Sequence, residues 1–190
     1  MGTAKENIQH SVIDEAPRET GAPVREAGML GRLISSGGLV FAAGIVVAML
    51  ILIQEVVLRY FFNSPTNWAH ETTIFLCGVA FVYGGLYCVA RDSHIRVVLI
   101  YDAIPKRARR WLDVVISIIC ALSSAMFAYA AWIMVQRAAF TPSGEFRLER
   151  SGSAWDPVYP GVMKIFLLAV LTVMAVQFLI LAVNYYRGKR

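Results

Sequence analysis

A chain of 190 residues with 57% hydrophobic and only 16% charged residues is too apolar for a water-soluble domain of its size, in which about 25% charged would be usual. The formal charge of +5 does not point to nucleic acid, because the basic residues gather at the ends of apolar runs, where anionic lipid headgroups attract them. Cys77, Cys88 and Cys120 all fall inside predicted spans and form no CxxC pair. They read as small packing residues, and a disulfide oxidase, which needs thiols on its outer loops, is excluded.

Residues 1–32 are polar and mixed in charge, with Pro17, Pro23 and several glycines, and read as a mobile cytoplasmic tail rather than a cleaved signal peptide. The first span, about 33–60, is uncharged from Leu33 to Gln54 and continues as helix through EVVLRYFF. Glu55 and Arg59 stand one turn apart with the acid first, the favourable order for an i, i+4 pair. Two uses are open to that pair, interfacial snorkelling and subunit contact. Tyr60, Phe61 and Phe62 follow as aromatic anchors.

The connector NSPTN is short enough to force an antiparallel hairpin. Thr66 or Asn67 is placed to cap the next helix, Trp68 reads as an interfacial anchor, and Glu71 falls in the first turn, where a carboxylate suits the helix dipole. The second span, about 70–90, is uncharged over nineteen residues from Thr72 to Ala90, close to the roughly 30 Å of a bilayer's hydrocarbon at about 1.5 Å per residue. Beyond it, six basic residues (Arg91, Arg96, Lys106, Arg107, Arg109, Arg110) crowd a twenty-residue connector, which places that connector in the cytoplasm. Within it SHIRVVLIYDAIP is apolar but too short to cross, so it is expected to lie along the interface as an arm, with Pro105 suiting the start of a new helix.

The third span, about 112–136, carries Ala121, Ser124, Ala125, Ala128 and Ala131 at three- and four-residue spacing. The first span does likewise with Gly38, Ala42, Gly44 and Ala48, and such stripes permit close helix approach. Residues 138–163 form an irregular outer loop containing Arg147 and Arg150. The fourth span, about 164–186, ends in a short basic tail at 187–190. Assigning both tails and the connector to the cytoplasm collects thirteen of the eighteen basic residues, so both termini are expected inside. The fold class expected is an all-α integral membrane protein of four transmembrane helices, with an interfacial cytoplasmic arm between the second and third.

The residues for chemistry are missing from this pattern. No Lys, Arg, Asp, Glu or His lies deep in a span, and His10, His70 and His94 all fall outside, where they cannot ligate a haem. There is no P-loop, no HExxH and no nucleophile beside a base. The residues alone therefore describe a noncatalytic membrane subunit with no cofactor of its own. The competing reading, a homo-oligomeric small channel or exporter, lacks a continuous polar face on any one span.

LRYFFNSPTNWAHE after the first span, GVAFVYGGLYCVARDSHIRVVLIYDAIPKRARRW around the second and SAWDPVYP before the fourth resemble the small membrane subunit (DctQ-type) of tripartite ATP-independent periplasmic, or TRAP, transporters. The resemblance covers roughly residues 35–186. It implies a multi-pass protein of the bacterial inner membrane with two partners. A periplasmic binding protein would deliver an organic anion, commonly a carboxylate, and a large membrane subunit would carry out sodium-driven, elevator-type transport. The small subunit would be the scaffold. By resemblance, Arg59, Trp68 and Glu71 match family positions at the outer end of the first hairpin, and His94 and Arg96 match its inner H-I-R-V motif. His70 and Val98 depart from residues common in relatives. Gly44 and Ala125 are candidate contacts with the large subunit, and Arg147 and Arg150 with the binding protein.

Overall fold

The computed structural model describes residues 27–91, 105–141 and 143–187. Four helices account for most of them: α1 (Gly28–Phe61), α2 (Ala69–Ala90), α3 (Lys106–Ala139) and α4 (Tyr159–Arg187). Each is long and apolar enough to cross a membrane, as the uncharged runs predict. The helices outrun the uncharged segments. With 34 residues, α1 and α3 each reach about 50 Å, beyond the hydrocarbon thickness, so they tilt or project into the headgroups. The second-span arm at 92–104, with its motif residues His94 and Arg96, lies outside the described residues.

The helices do not close into a symmetrical bundle. They stand in a row, α1–α2–α4–α3, with α3 and α4 most closely packed, α1 on α2, α2 on α4, and α1 touching α4 only marginally. One end of the row, the loop end, carries the α1–α2 turn and the α3–α4 loop. The opposite, terminal end gathers the start of α1, the end of α2, the start of α3 and the end of α4.

Most of the core lies toward the terminal end. Val114 and Ala121 of α3 meet Phe178, Leu181 and Tyr185 of α4, and Val89 of α2 joins them. A second cluster joins Ile34 of α1, Leu86 and Ala90 of α2, and Val170 of α4. Gln177, fully buried, donates from Nε2 to the carbonyl of Ala27 at 3.1 Å and so ties the start of α1 to α4. The small-residue stripe of α3 is largely used inside the molecule, since Ala121, Ser124 and Ala131 are buried.

On α1 the first residue of the stripe, Gly38, and its neighbour Gly37 meet tyrosines. A methyl at Gly37 would stand 2.1 Å from the Tyr83 hydroxyl, and one at Gly38 would stand 2.5 Å from the Tyr87 ring. Only glycine lets those rings lie against the α1 backbone. There the Tyr83 hydroxyl donates to the Ile34 carbonyl at 2.6 Å, and its ring stacks on Phe41 with centroids 3.8 Å apart.

Three local expectations change. Neither Thr66 nor Asn67 caps α2, which follows Trp68 with no side-chain cap, because the Thr66 hydroxyl is taken by Glu55. The fourth helix starts at Tyr159, five residues before Lys164, since Pro160 suits a first turn whose N–H has no helical partner anyway. Cys77 and Cys88 are exposed on α2 and pack no core; Cys120 alone is half-buried against it. In a bilayer a small apolar side chain is equally at home on either surface, which removes the pressure to bury it.

Candidate docking surface at the loop end

Six of the residues singled out from the sequence, Glu55, Arg59, Trp68, Glu71, Arg147 and Arg150, gather at the loop end, on the α1–α2 turn, the α3–α4 loop and the start of α2 between them. The first is the α1–α2 turn. Glu55, buried in the last turns of α1, accepts on Oε1 from Arg59 Nη2 at 2.7 Å and Nε at 3.3 Å. On Oε2 it accepts the Thr66 backbone N–H at 3.1 Å and the Thr66 hydroxyl. The carboxylate therefore spans the turn, fixing residue 66 to the helix it has just left. Asn63 reverses the chain with φ 49°, a left-handed conformation that asparagine tolerates better than most residues, and Ser64 N–H donates back to Leu58 O at 3.0 Å. Tyr60, Phe61 and Phe62 remain exposed around the turn.

The second structure is the α3–α4 loop, which is long but highly bonded. Its first limb folds back along the end of α3, where Arg147 N–H donates to Ala139 O and Glu149 N–H to Ala138 O, both at 2.8 Å. Phe140 and Phe146 face each other across a single antiparallel bridge with rings edge to face at 5.8 Å. The second limb is pinned by Asp156. Its Oδ1 accepts Gly152 N–H at 3.0 Å, and its Oδ2 accepts Arg150 Nε at 2.7 Å. The Gly152 amide first, and then the Arg150 guanidinium, hold the Asp156 carboxyl below the ordinary aspartate range. Lys164 of α4 pairs with Glu149, and Gly161 brings α4 under the loop so closely that a methyl there would sit 3.1 Å from Glu149 O.

The two arginines of this loop thus have different duties. Arg150 is spent on Asp156, whereas Arg147 is exposed beside it; both line a cleft of about 490 Å³ that also includes Arg137. Sequence reasoning missed Arg137 and Asp156, and it gave Thr66 a capping role in place of its bond to Glu55. Arg137 had a signal as the charge ending the third span; Thr66 and Asp156 act across turns that no period in the sequence reports.

Between α2 and α4 lies an apolar groove of about 330 Å³. Phe75 and Gly78 form its α2 wall, Tyr159 and Met163 its α4 wall, and Ser151 overhangs it from the loop. Glu71 also lines it. Phe75 and Tyr159 stack with centroids 4.4 Å apart, and Trp155 meets Tyr159 edge-on at 5.5 Å. Trp68 is half-buried nearby, and its carbonyl accepts the Thr72 amide and hydroxyl.

The remaining two candidates lie along the spans. Gly44 faces α2, where Leu76 would touch a methyl at 4.0 Å, while Ala125 is exposed on the outer side of α3.

Residues 48–188 match the family described as "Tripartite ATP-independent periplasmic transporters, DctQ component". Over 83 residues the chain is 29% identical to the "C4-dicarboxylate TRAP transporter small permease protein DctQ" of Vibrio cholerae serotype O1. That alignment covers 44% of this chain and 36% of the relative's own length. With the family pattern running from the middle of α1 to the end of α4, the chain belongs to the DctQ component family of the tripartite ATP-independent periplasmic transporters and is a transporter component, not an enzyme.

Proposed function

We propose that this chain is the scaffold subunit that braces the large, sodium-coupled elevator subunit of a TRAP-type transporter in the bacterial inner membrane. Its solute is an organic anion, a carboxylate, delivered by a periplasmic binding protein. The observation that carries the reading is the family match over residues 48–188. The dicarboxylate in the name of the Vibrio relative supports the substrate class. Both termini lie in the cytoplasm on the strength of the basic residues at that end, which puts the α1–α2 turn and the α3–α4 loop on the periplasmic side.

A scaffold of this kind works by not moving. An elevator shifts its transport domain against a fixed partner, and a row of helices widens the fixed part's footprint more than a closed bundle of equal mass. The broad exposed faces of α1 and α3 are available to lipid and to the larger subunit. Periplasmic docking of the binding protein falls to the loop end, where the exposed Arg147 can meet acidic groups while Arg150 keeps the loop in shape.

The test is co-purification in mild detergent with the large subunit of the same organism, followed by solute uptake in liposomes. Stoichiometric recovery and sodium-dependent uptake only with all three components are expected. A homo-oligomer that transports by itself would replace this reading with the channel. Ala125→Trp and Arg147→Glu are the cleanest probes, because Gly44 and Arg150 also serve the chain's own packing. Ala125→Trp is expected to reduce recovery of the large subunit, and Arg147→Glu to reduce uptake with recovery intact.

A further inference from the structure

We infer that the groove between α2 and α4 receives an arginine side chain of the large membrane subunit, with Glu71 as its counter-charge. The inference rests on the subunit reading above and names the chemistry of one contact. Glu71 is the ionisable residue among those lining a groove that is otherwise almost wholly apolar. Its Oε2 is shielded from solvent and has no hydrogen-bond partner among the described residues. A carboxylate oxygen so placed is unfavourable without a counter-charge, and removing or supplying that charge has a large effect.

Shape decides what kind of cation fits. Met163, whose Cε would lie 2.8 Å from a methyl at Gly78, narrows the inner end. From Glu71 to Gly78 the groove therefore runs about 10 Å along the helix. A lipid chain must run through roughly 15 Å of one leaflet and would overrun this end. A single long side chain fits within it. The apolar, aromatic-lined walls favour arginine over lysine, because a planar, weakly hydrated guanidinium and its apolar stem lose less on leaving water than a compact, strongly hydrated ammonium. Its fork can then reach the carboxylate.

The experiment is affinity purification of the full chain co-expressed with the large subunit, comparing wild type, Glu71→Gln and Glu71→Arg, with native mass spectrometry of each complex. Glu71→Arg is expected to lower recovery of the large subunit by at least about tenfold. Glu71→Gln, equal in size, guards against a variant that merely misfolds. It is expected to lower recovery severalfold while the isolated subunit keeps its thermal midpoint. Replacing the responsible arginine of the large subunit by Glu should restore recovery with Glu71→Arg. Equal recovery of all three forms overturns the inference and leaves the subunit reading intact. Failure of the wild type to recover any large subunit overturns both. An amine-headed lipid retained by wild type and lost from Glu71→Gln, with subunit recovery unchanged, overturns the arginine in favour of the lipid.

Discussion

Helix α1 and the three helices beside it are held by different means. In the most apolar stretch of α1 only 6% of residues are buried, against 28% in each of α2, α3 and α4. One core cluster joins α2, α3 and α4, and the other joins α2 and α4 with Ile34 as the buried contribution of α1. For most of its length α1 is attached to α2 alone, through glycines that admit Tyr83 and Tyr87, and it is clamped at its far end by Glu55 on Thr66. In water such a helix would be a defect. In a bilayer its outward Leu, Ile and Val side chains gain nothing by burial, so a few close contacts suffice to fix its position.

If this contrast is right, α1 should be the helix most easily detached by a single substitution. Gly37→Leu must push the Tyr83 hydroxyl off Ile34 O and disturb the stack on Phe41. Overpacking and the lost hydrogen bond together are expected to cost about 2–4 kcal/mol of stability. Ala42→Leu, on the exposed side of the same helix, is expected to stay within about 0.5 kcal/mol of wild type. Equilibrium unfolding in detergent measures both, and equal effects from the two would erase the distinction between an attached and an unattached face of α1.

A smaller effect is expected at the clamp. Glu55→Ala strips the acceptor from Arg59 and from both donors of Thr66 without touching the tyrosine contacts. The amide of Thr66 should then exchange its hydrogen at least about tenfold faster, with global unfolding moved less than by Gly37→Leu. An unchanged exchange rate would mean that the turn is held by Asn63 and the Ser64 to Leu58 hydrogen bond instead.

What the sequence made legible follows from the same physics. Uncharged runs announce spans because the bilayer tolerates few charges, and the i, i+4 spacing of Glu55 and Arg59 announces their pairing. The order of helices in the row was not legible. Spans that are apolar on all sides carry no stripe that says which face meets which neighbour. The glycine spacing of α1 therefore signalled close approach but not its object, and Tyr83 and Tyr87, one turn apart on α2, were the unread half of that signal. Glu71 was legible as a residue of the first turn of α2, yet its groove exists only because α4 starts at Tyr159 beside it. Contacts across turns, such as Arg150 with Asp156, depend on backbone geometry that no spacing encodes.

The loop end supplies the mildest test of the contrast, because its loop is held by exposed polar bonds rather than by packing. Asp156 is ionised more readily in the folded loop than in an open chain, owing to the Gly152 amide and Arg150. A carboxyl with a lowered folded pKa contributes stability above its ordinary range and loses it as pH falls through the folded value. The loop should therefore stay closed at neutral pH and loosen only in strong acid, below the usual aspartate range. Hydrogen exchange at the Gly152 amide, corrected for its intrinsic pH dependence, should show protection falling there. Asp156→Asn should lower that protection at neutral pH and flatten its pH dependence. Because these partners are exposed and screened by solvent, the unfolding of the helices should hardly respond. A cooperative loss of the whole fold over the same pH range would show instead that the loop, and not the row of helices beneath it, keeps α3 and α4 together.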